Sequence, residues 1–336
     1  MNESKIDGMS SFSELSAAFE LQFNRRHFPQ QPERLYDAAQ YLLTLGGKRI
    51  RPVICLMANE LFGTLNKDAF FVANAIELFH NFTLVHDDIM DRAPLRRGMA
   101  TTHIKYGEST ALLAGDVMLV AAYDYLNKIH IGHLPRVLDL FNTTARQVCE
   151  GQQLDMDLAE SGDTIHQHDE VSFDEYVKMI GLKTSVLLAA SLRLGAILGG
   201  AGLGNQDHLY EFGKNLGIAF QVQDDYLDAF GNPEKFGKQS GGDILANKKT
   251  FLLLQAIKVA SLDQQETINH LLKTNEEDKV EKMLEIYRSC SVDEWAKELK
   301  QKYYSIAMDH LEDVAVISSR KKPLEELAEY LMDRDV

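Results

Sequence analysis

Apolar residues recur at spacings of three and four along almost the whole chain, which is the pattern of amphipathic α-helices. Alternating β-branched segments bounded by turn residues, the pattern of strands, are hard to find. The periodicity therefore predicts an all-α protein. Its predicted helices, with bounds good to a few residues, are 12–24, 33–45, 50–63, 67–92, 107–129, 134–160, 173–200, 205–230, 244–262, 277–290, 292–314 and 322–333.

Prolines separate the predicted helices or lie near their starts, because a proline inside a helix removes a hydrogen bond. Only 7 prolines occur in 336 residues, and no Pro- or Ser-rich linker divides the chain. We therefore expect one large helical domain over residues 31–336. Long antiparallel helices joined by short loops form a bundle, which can hold a site in its centre. No clear role follows for residues 1–30, whose FELQF run we expect to pack on a partner subunit.

Composition narrows the possible partners. The net charge of -15 argues against nucleic acid or an anionic membrane surface as the main partner, since both need clustered Lys and Arg. Cys55, Cys149 and Cys290 lie far apart with no CxxC, so neither a disulfide framework nor a structural zinc site is expected. The first residues lack a signal-peptide pattern and no unbroken apolar run could span a bilayer, which predicts a cytoplasmic protein without stable membrane insertion.

One acidic pattern occurs twice, in TLVHDDIMD at 83–91 and in GIAFQVQDDYLD at 217–228. Each copy ends an apolar helical run in DDxxD, and positions i and i+4 share one face of a helix. The carboxylates are Asp87, Asp88, Asp91, Asp224, Asp225 and Asp228. Like charges at this spacing repel unless a cation binds, and oxygen ligands of this kind suit Mg²⁺. A solvated helix face is the alternative for either copy alone; the repetition favours a metal site.

Basic residues suited to phosphate lie close to these motifs in the sequence. The segment LGGKRIRP offers Lys48, Arg49 and Arg51 after two glycines that permit a tight turn. Arg96 and Arg97 follow the first acidic motif, and arginine binds phosphate bidentately. The alternatives are a basic helix C-terminus for the first group and neutralisation of the neighbouring aspartates for the second.

Three lysines, a possible lid and one competing metal motif complete the candidates. Lys183 in GLKTS, Lys238 in FGKQSGGD and Lys248 in ANKKT would each be a surface lysine if taken alone. The glycine- and lysine-rich loop at 231–243 is a candidate mobile lid over an anion. ELFH supplies an ExxH pair, Glu77 and His80, but a di-iron site in a bundle needs a second ExxH, which the sequence lacks.

The order of GGKRIRP, ELFH, DDIMD, RRG, GDVML, EGQQLD, GLKTS, FQVQDDYLD, GKQSGGDI and NKKT resembles the trans-polyprenyl diphosphate synthase family over roughly residues 33–330. This resemblance implies the isoprenoid synthase type I fold, an all-α bundle around a deep central cavity with the two acidic motifs on opposite walls. It implies that the six aspartates bind an allylic diphosphate through Mg²⁺, as three ions.

The resemblance also assigns roles to the other motif residues. The matches to the allylic diphosphate site are Arg96, Lys183, Thr184, Gln221, Lys238 and Lys248, with Lys249 as an alternative to Lys248. The matches to the isopentenyl diphosphate site are Gly47, Lys48, Arg51, His80 and Arg97. Among these, the first-motif aspartates with Arg96, Lys183, Thr184, Asp224 and Lys238 are the implied catalytic residues.

The implied activity is Mg²⁺-dependent, head-to-tail condensation of isopentenyl diphosphate with an allylic diphosphate through an allylic carbocation, by a homodimer. Alternatives are a longer-chain synthase, a terpene cyclase, a non-catalytic synthase subunit and a plain helical scaffold. Phe82 lies five residues before Asp87, about 7.5 Å along the helix, where an aromatic in this family forms a floor for the growing tail. With Phe79 one turn lower, this predicts geranylgeranyl or farnesyl diphosphate as product; core packing is the other interpretation of both residues.

Overall fold

The computed structural model describes residues 9–160, 173–231, 241–274 and 276–333. Within these ranges the strands are one antiparallel pair, β1 (Leu95–Arg96) and β2 (Met99–Ala100), and the remaining regular structure is helical. The predicted all-α class is confirmed. In chain order the helices are α1 (Phe12–Phe23), α2 (Glu33–Thr44), α3 (Ile50–Glu60), α4 (Lys67–Met90), α5 (Thr102–Tyr106), α6 (Glu108–Leu126), α7 (Leu134–Glu160), α8 (Phe173–Ile180), a π-helical turn (Gly181–Ser185) that we call the π-turn, α9 (Val186–Leu198), α10 (Leu203–Phe230), α11 (Gly242–Leu245), α12 (Phe251–Val259), α13 (Leu262–Lys273), α14 (Lys279–Ser289), α15 (Val292–Glu312) and α16 (Ser318–Met332).

Polar caps fix where several helices begin. The Ser11 hydroxyl accepts from the Glu14 N–H while the Glu14 carboxylate accepts from the Ser11 N–H, which forms a capping box at the start of α1. The Asn66 side chain accepts from the Ala69 N–H and so starts α4, the helix that carries the first acidic motif.

Two predicted helices differ from the structure in an informative way. The predicted helix 173–200 is interrupted by the π-turn, which apolar periodicity does not reveal. The predicted helix 244–262 is instead α11 and α12, and the next helix, α13, was not predicted. A second capping box, between Ser261 and Gln264, starts α13 where the pattern suggested an end.

The described chain packs as two compact units. Unit 1 consists of the described residues up to Phe141 with Ala190–Leu209 and Ala315–Leu324. Unit 2 consists of Asn142–Ala189, Tyr210–Val314 and the described residues from Glu325 onward. The expectation of one domain over 31–336 stays a prediction.

Unit 1 is held together by close helix packing. A Cβ on Gly195 of α9 would lie 2.0 Å from the carbonyl oxygen of Cys55 on α3, so the two backbones touch. The Asn59 side chain donates to the Gly195 carbonyl at 3.3 Å across the same contact. Phe19 and Phe23 of α1 are buried within this unit, whereas Leu21 between them is exposed. Two of the three apolar residues of the FELQF run therefore belong to the core of the chain's own unit.

Unit 2 has an aromatic core beneath the second acidic motif. The Phe251 ring lies 5.7 Å from that of Tyr176 and 6.0 Å from that of Trp295, between centroids.

By length and composition, Phe173–Leu198 is the one span of the described chain that could cross a membrane, but 78% of its most apolar window is buried inside the protein. Such burial is typical of a core helix.

Candidate active site

The first acidic motif lies at the end of α4 in unit 1. Asp91 caps the helix, its N–H donating to the Asp87 carbonyl at 2.8 Å, so the two residues are one turn apart on one face. Asp91 is exposed, and the Asp87 side chain is 22% exposed. The outer two carboxylates of the motif are thus at least partly exposed to solvent, and Asp87 Oδ2 lies 3.9 Å from Arg96 Nη2.

The middle carboxylate, Asp88, is instead bound by an arginine. Its side chain is 2% exposed, and Arg96 forks onto both oxygens, with Nε 2.8 Å from Oδ2 and Nη2 2.7 Å from Oδ1. Burial works against the charge of Arg96, but the hydrogen bonds and charge of Asp88 prevail and raise the Arg96 pKa. Asp88 therefore sustains the charge of Arg96 beside the outer two aspartates.

The last two residues of RRG form the two-residue turn between β1 and β2. Arg97 (φ 53°) and Gly98 (φ 76°) both have positive φ, as a tight hairpin with this register requires. The turn directs Arg97 back to the Gly-Gly segment, where its Nη1 donates to the Gly46 carbonyl. A Cβ on Gly47 would lie 3.0 Å from Arg97 Nη2, so the glycine gives the guanidinium its space.

Arg49, from the same basic segment, is turned inward and belongs to the core. It adopts a left-handed conformation (φ 51°), and its side chain is 2% exposed. Nη1 donates to the buried Glu77 carboxylate and Nη2 donates to the Leu43 carbonyl at 3.0 Å. Asn81 Nδ2 donates to the same Glu77 oxygen at 3.0 Å. Glu77 thus pairs with an arginine and anchors the turn before α3.

Arg51 and His80 contact each other near the pair of Arg49 and Glu77. Arg51 Nη1 lies 3.4 Å from His80 Nε2, and because guanidinium only donates, Nε2 must accept and the ring proton must sit on Nδ1. Burial, then the charges of Arg51 and Arg97, lower the His80 pKa well below 6.5, so the ring is neutral. Arg51 Nε is buried and has no hydrogen-bond partner among the described residues, which leaves a donor for an anion.

The aromatic residues upstream of Asp87 form a continuous series in unit 1. The Phe82 ring lies 4.8 Å from the His86 ring and 5.6 Å from the Phe79 ring, and Phe79 packs 5.4 Å from Phe141. Phe79 is 1% exposed, whereas Phe82 is only half-buried. Phe79 therefore belongs to the core and supports Phe82, which has open surface.

The second acidic motif, on α10 in unit 2, repeats the arrangement of the first. Asp224 and Asp228 are half-buried and one turn apart, while Asp225 is 3% exposed. Tyr176 donates its hydroxyl to Asp225 Oδ2 at 2.7 Å and Gln221 Nε2 donates to Oδ1 at 2.8 Å. Burial raises the pKa of Asp225 to about 7, against the charge of Lys248 and these two hydrogen bonds.

The predicted lysines of unit 2 lie next to carboxylates. Lys183 Nζ, in the π-turn beside Thr184, donates to Asp155 Oδ2 at 2.6 Å. Lys248 Nζ lies 3.6 Å from Asp243 Oδ1. Burial opposes the charge of Lys248, but the charges of Asp225, Asp243 and Asp155 raise its pKa.

Lys249, the alternative to Lys248, has its side chain buried in the core. Of these two lysines, Lys248 is therefore the one that interacts with Asp225, Asp243 and Asp155. Lys238 and most of the predicted lid at 231–243 lie outside the described residues.

The carboxylates fit a magnesium ion that shares its ligands with a substrate. No three His, Cys, Asp or Glu side chains among the described residues gather closely enough to enclose a metal by themselves. Mg²⁺ usually takes one or two carboxylates and completes its octahedron with water and phosphate oxygens. The outer pairs, Asp87 with Asp91 and Asp224 with Asp228, provide that number of carboxylates on one helix face each. Asp228 Oδ2 also accepts from the Asp243 N–H at 2.8 Å, which fixes its orientation.

Sequence reasoning missed four residues that shape these sites: Asp155, Tyr176, Asp243 and His86. Asp155 had a signal, since EGQQLD was part of the recognised motif order. His86 lies against α6, where a Cβ on Gly115 would come within 2.4 Å of its Nε2, which explains the glycine of GDVML. Asp243 had the same kind of signal as Asp155, since it is the aspartate of GKQSGGDI. Tyr176 carries no distinctive local pattern, so only folding brings it to the second motif.

Comparison with known proteins agrees with the geometry. The polyprenyl synthetase family model matches residues 32–290. A geranylgeranyl diphosphate synthase of Methanosarcina mazei is 37% identical over 91% of both chains, and a geranylfarnesyl diphosphate synthase of Aeropyrum pernix is 35% identical over 90% of this chain and 95% of its own. A crystal structure of a geranylgeranyl pyrophosphate synthase superposes with a TM-score of 0.89 at 38% identity, covering 97% of this chain and 99% of that one.

These matches cover nearly the whole chain and include all the motifs described above. Members of this family are generally magnesium-dependent, in keeping with the two outer aspartate pairs. The protein belongs to the polyprenyl synthetase family and is a trans-prenyltransferase.

Proposed function

We propose that the protein condenses isopentenyl diphosphate head-to-tail with an allylic diphosphate and releases a short-chain trans-polyprenyl diphosphate. The observation that carries this proposal is the cationic group of unit 1. Arg51 and Arg97 lie close enough to His80 to depress its pKa, Glu77 is already paired with Arg49, and Arg51 Nε is buried without a partner. A terpene cyclase ionises one substrate and has no need of such an isopentenyl diphosphate site.

Isopentenyl diphosphate would bind to unit 1 through its charged head. Lys48, Arg51 and Arg97 supply the positive charge, and neutral His80 adds a ring N–H without further repulsion. Gly47 permits the backbone to approach the phosphate closely. These contacts hold the acceptor double bond in place for attack.

Each outer aspartate pair would bind allylic diphosphate through Mg²⁺, with three ions in all by resemblance, together with the basic residues near it. When bound, Mg²⁺ stabilises the negative charge that develops on the leaving diphosphate. Arg96, Lys183 and Lys248 add fixed positive charge, and Gln221 adds an amide donor. Lys238 has the same role by resemblance. Asp88 and Asp225, held by protein donors on both oxygens, orient Arg96 and sustain the charge of Lys248.

The condensation needs no reactant besides the two diphosphate substrates. The allylic C–O bond breaks and its electron pair leaves with the diphosphate. The double bond of isopentenyl diphosphate attacks the allylic cation, and a proton is then lost to the released diphosphate. The Lys183 carbonyl and the Thr184 hydroxyl, both in the π-turn, stabilise the cation, and apolar helix faces keep out water that would otherwise form an alcohol.

Product length would be limited by Phe82, backed by Phe79. This favours geranylgeranyl or farnesyl diphosphate, and similarity to a geranylgeranyl diphosphate synthase supports the former. A relative named geranylfarnesyl diphosphate synthase keeps a longer product as the second candidate.

The test is incubation of the purified protein with labelled isopentenyl diphosphate, Mg²⁺ and allylic primers of increasing length, followed by chromatography of the dephosphorylated products. We expect isopentenyl diphosphate to be consumed and a dominant product of twenty or fifteen carbons. A dominant product beyond twenty-five carbons would refute the floor formed by Phe82. Ionisation of the allylic substrate without consumption of isopentenyl diphosphate would indicate a cyclase.

We also propose that the protein is a cytoplasmic homodimer. Along α6, Leu113 and Val120 are 55% and 59% exposed and lie two turns apart on one face, which suits an interface between copies. Light scattering should give twice the chain mass for the wild type. The variant Val120→Lys should shift it toward the monomer, and an unchanged mass would place the interface elsewhere.

A further inference from the structure

The π-turn of unit 2 lies between the bare backbones of two helices. A Cβ on Gly151 of α7 would lie 2.2 Å from Lys183 N and 2.6 Å from the carbonyl carbon of Leu182. A Cβ on Gly217 of α10 would lie 2.8 Å from both Cβ and Oγ of Ser185. Neither glycine can therefore carry a side chain unless the π-turn moves.

The π-turn is an uncommon conformation that its surroundings must maintain. The Val186 N–H bonds to the Gly181 carbonyl five residues back, one residue further than in an α-helix. The Ser185 hydroxyl is buried and has no hydrogen-bond partner among the described residues, so no bond from this side chain fixes the turn. The turn is instead held by close packing against the two glycines.

Each glycine lies one helical turn before a residue of the site. On α7, Asp155 follows Gly151 by four residues and accepts from Lys183 Nζ at 2.6 Å. On α10, Gln221 follows Gly217 by four residues and donates to Asp225 at 2.8 Å. The two backbone contacts therefore set the register between the π-turn and the charged groups of both helices.

We propose that Gly151 and Gly217 are positioning residues for prenyl transfer, which place Lys183 and Thr184 of the π-turn against Asp155 and the second acidic motif. This inference rests on the proposed function for its kinetic consequences, although its geometric part stands alone. Because misplacement of a reacting group by about 1 Å can reduce a rate about 100-fold, displacement of the turn should appear in kcat. Isopentenyl diphosphate binds through residues of unit 1, so its KM should change little.

The experiment compares Gly151→Ala and Gly217→Ala with Gly204→Ala, a matched change on α10 where an added Cβ meets nothing within 4 Å. We expect kcat to fall about 100-fold in the two test variants, with KM for isopentenyl diphosphate within about threefold of the wild-type value. The control should keep wild-type kinetics. Crystal structures of the ligand-free variants should show a displaced π-turn and a broken contact between Lys183 and Asp155.

A second-site variant separates positioning from general loss of structure. Ser185→Gly removes the Cβ and Oγ that a methyl group at 217 would strike and leaves the Cα, which would lie 2.9 Å away. Gly217→Ala combined with Ser185→Gly should therefore recover part of kcat, relative to Ser185→Gly alone. Full activity of Gly151→Ala, an undisplaced π-turn in an inactive variant, or no recovery in the double variant would each overturn the inference. If Gly151→Ala does not fold, the comparison of Gly217→Ala with its Ser185→Gly double variant tests the inference. If the wild type consumes no isopentenyl diphosphate, the proposed function fails, while the crystal structures still test the positioning.

Discussion

The guanidinium of Arg49 donates to the carboxylate of Glu77 inside unit 1, where the two side chains are 2% and 4% exposed. This pair joins the turn before α3 to the middle of α4. It links two motifs, GGKRIRP and ELFH, whose neighbouring residues Arg51 and His80 are proposed to bind diphosphate. The pair thus supports the substrate site without belonging to its surface.

Removal of one partner should destabilise the protein strongly. Glu77→Ala leaves Arg49 buried without a counter-charge, and we expect the free energy of unfolding to fall by about 3–5 kcal/mol in urea titrations. The double variant Arg49→Met with Glu77→Leu replaces the pair with apolar groups and should lose much less. Equal losses in the single and double variants would show that burial of charge is not the cause.

The two phenylalanines upstream of Asp87 should respond differently to truncation. Phe82→Ala opens half-buried surface next to the acidic motif and should lengthen the product by at least one five-carbon unit, as chromatography would show. Phe79→Ala creates a cavity in the core, and we expect it to lower the free energy of unfolding by about 3–5 kcal/mol. An unchanged product length in Phe82→Ala would assign that residue to packing alone.

The neighbouring lysines near the end of the second site offer a matched pair. The charges of Asp225 and Asp243 raise the pKa of Lys248. Lys248→Ala should therefore reduce kcat/KM for the allylic substrate by about 100- to 1,000-fold, a typical loss for one stabilising donor. Lys249 is buried, so Lys249→Ala should lower thermal stability more than activity. The reverse ranking would exchange their proposed roles.

The sequence predicted the acidic pairs, the arginines after the first motif and the long helices, because these depend on local spacing. Local spacing alone did not distinguish Arg49 from Arg51, which only the family resemblance separated, since the direction of each side chain is set by the left-handed turn and by Glu77 on another helix. The difference between Asp88 or Asp225 and the outer aspartates was also invisible, because it depends on burial. The π-turn left no trace in the apolar pattern, and only the contacts of Gly151 and Gly217 reveal why it persists.

Because His27 is buried and neutral, we expect the protein to lose stability under mildly acidic conditions. Burial lowers its pKa to about 4, its Nε2 faces the Phe23 carbonyl at 2.8 Å, and Nδ1 lies 2.9 Å from the Tyr125 hydroxyl. In the unfolded chain the pKa is about 6.5, so between pH 6.5 and 4 the unfolded state binds more protons and stability rises with pH.

We therefore expect the His27 contribution to lower the free energy of unfolding by about 2 kcal/mol between pH 7 and pH 5. The neutral His80 acts in the same direction, so the comparison must be with His27→Gln, which cannot titrate. Urea titrations at the two pH values should show a smaller pH dependence in the variant by that amount. Identical pH dependence in both proteins would contradict a buried neutral His27.

Magnesium-dependent condensation is tested most directly by the rate of incorporation of labelled isopentenyl diphosphate into prenyl products as Mg²⁺ is titrated. It should be made for the wild type, for Asp87→Asn and Asp224→Asn, and for the exposed control Asp139→Asn. We predict that incorporation requires Mg²⁺, that a chelator abolishes it, and that both motif variants lose at least about 100-fold in rate while the control keeps it. Incorporation that persists in the chelator, or motif variants as active as the control, would contradict a magnesium-dependent condensation at the two acidic motifs.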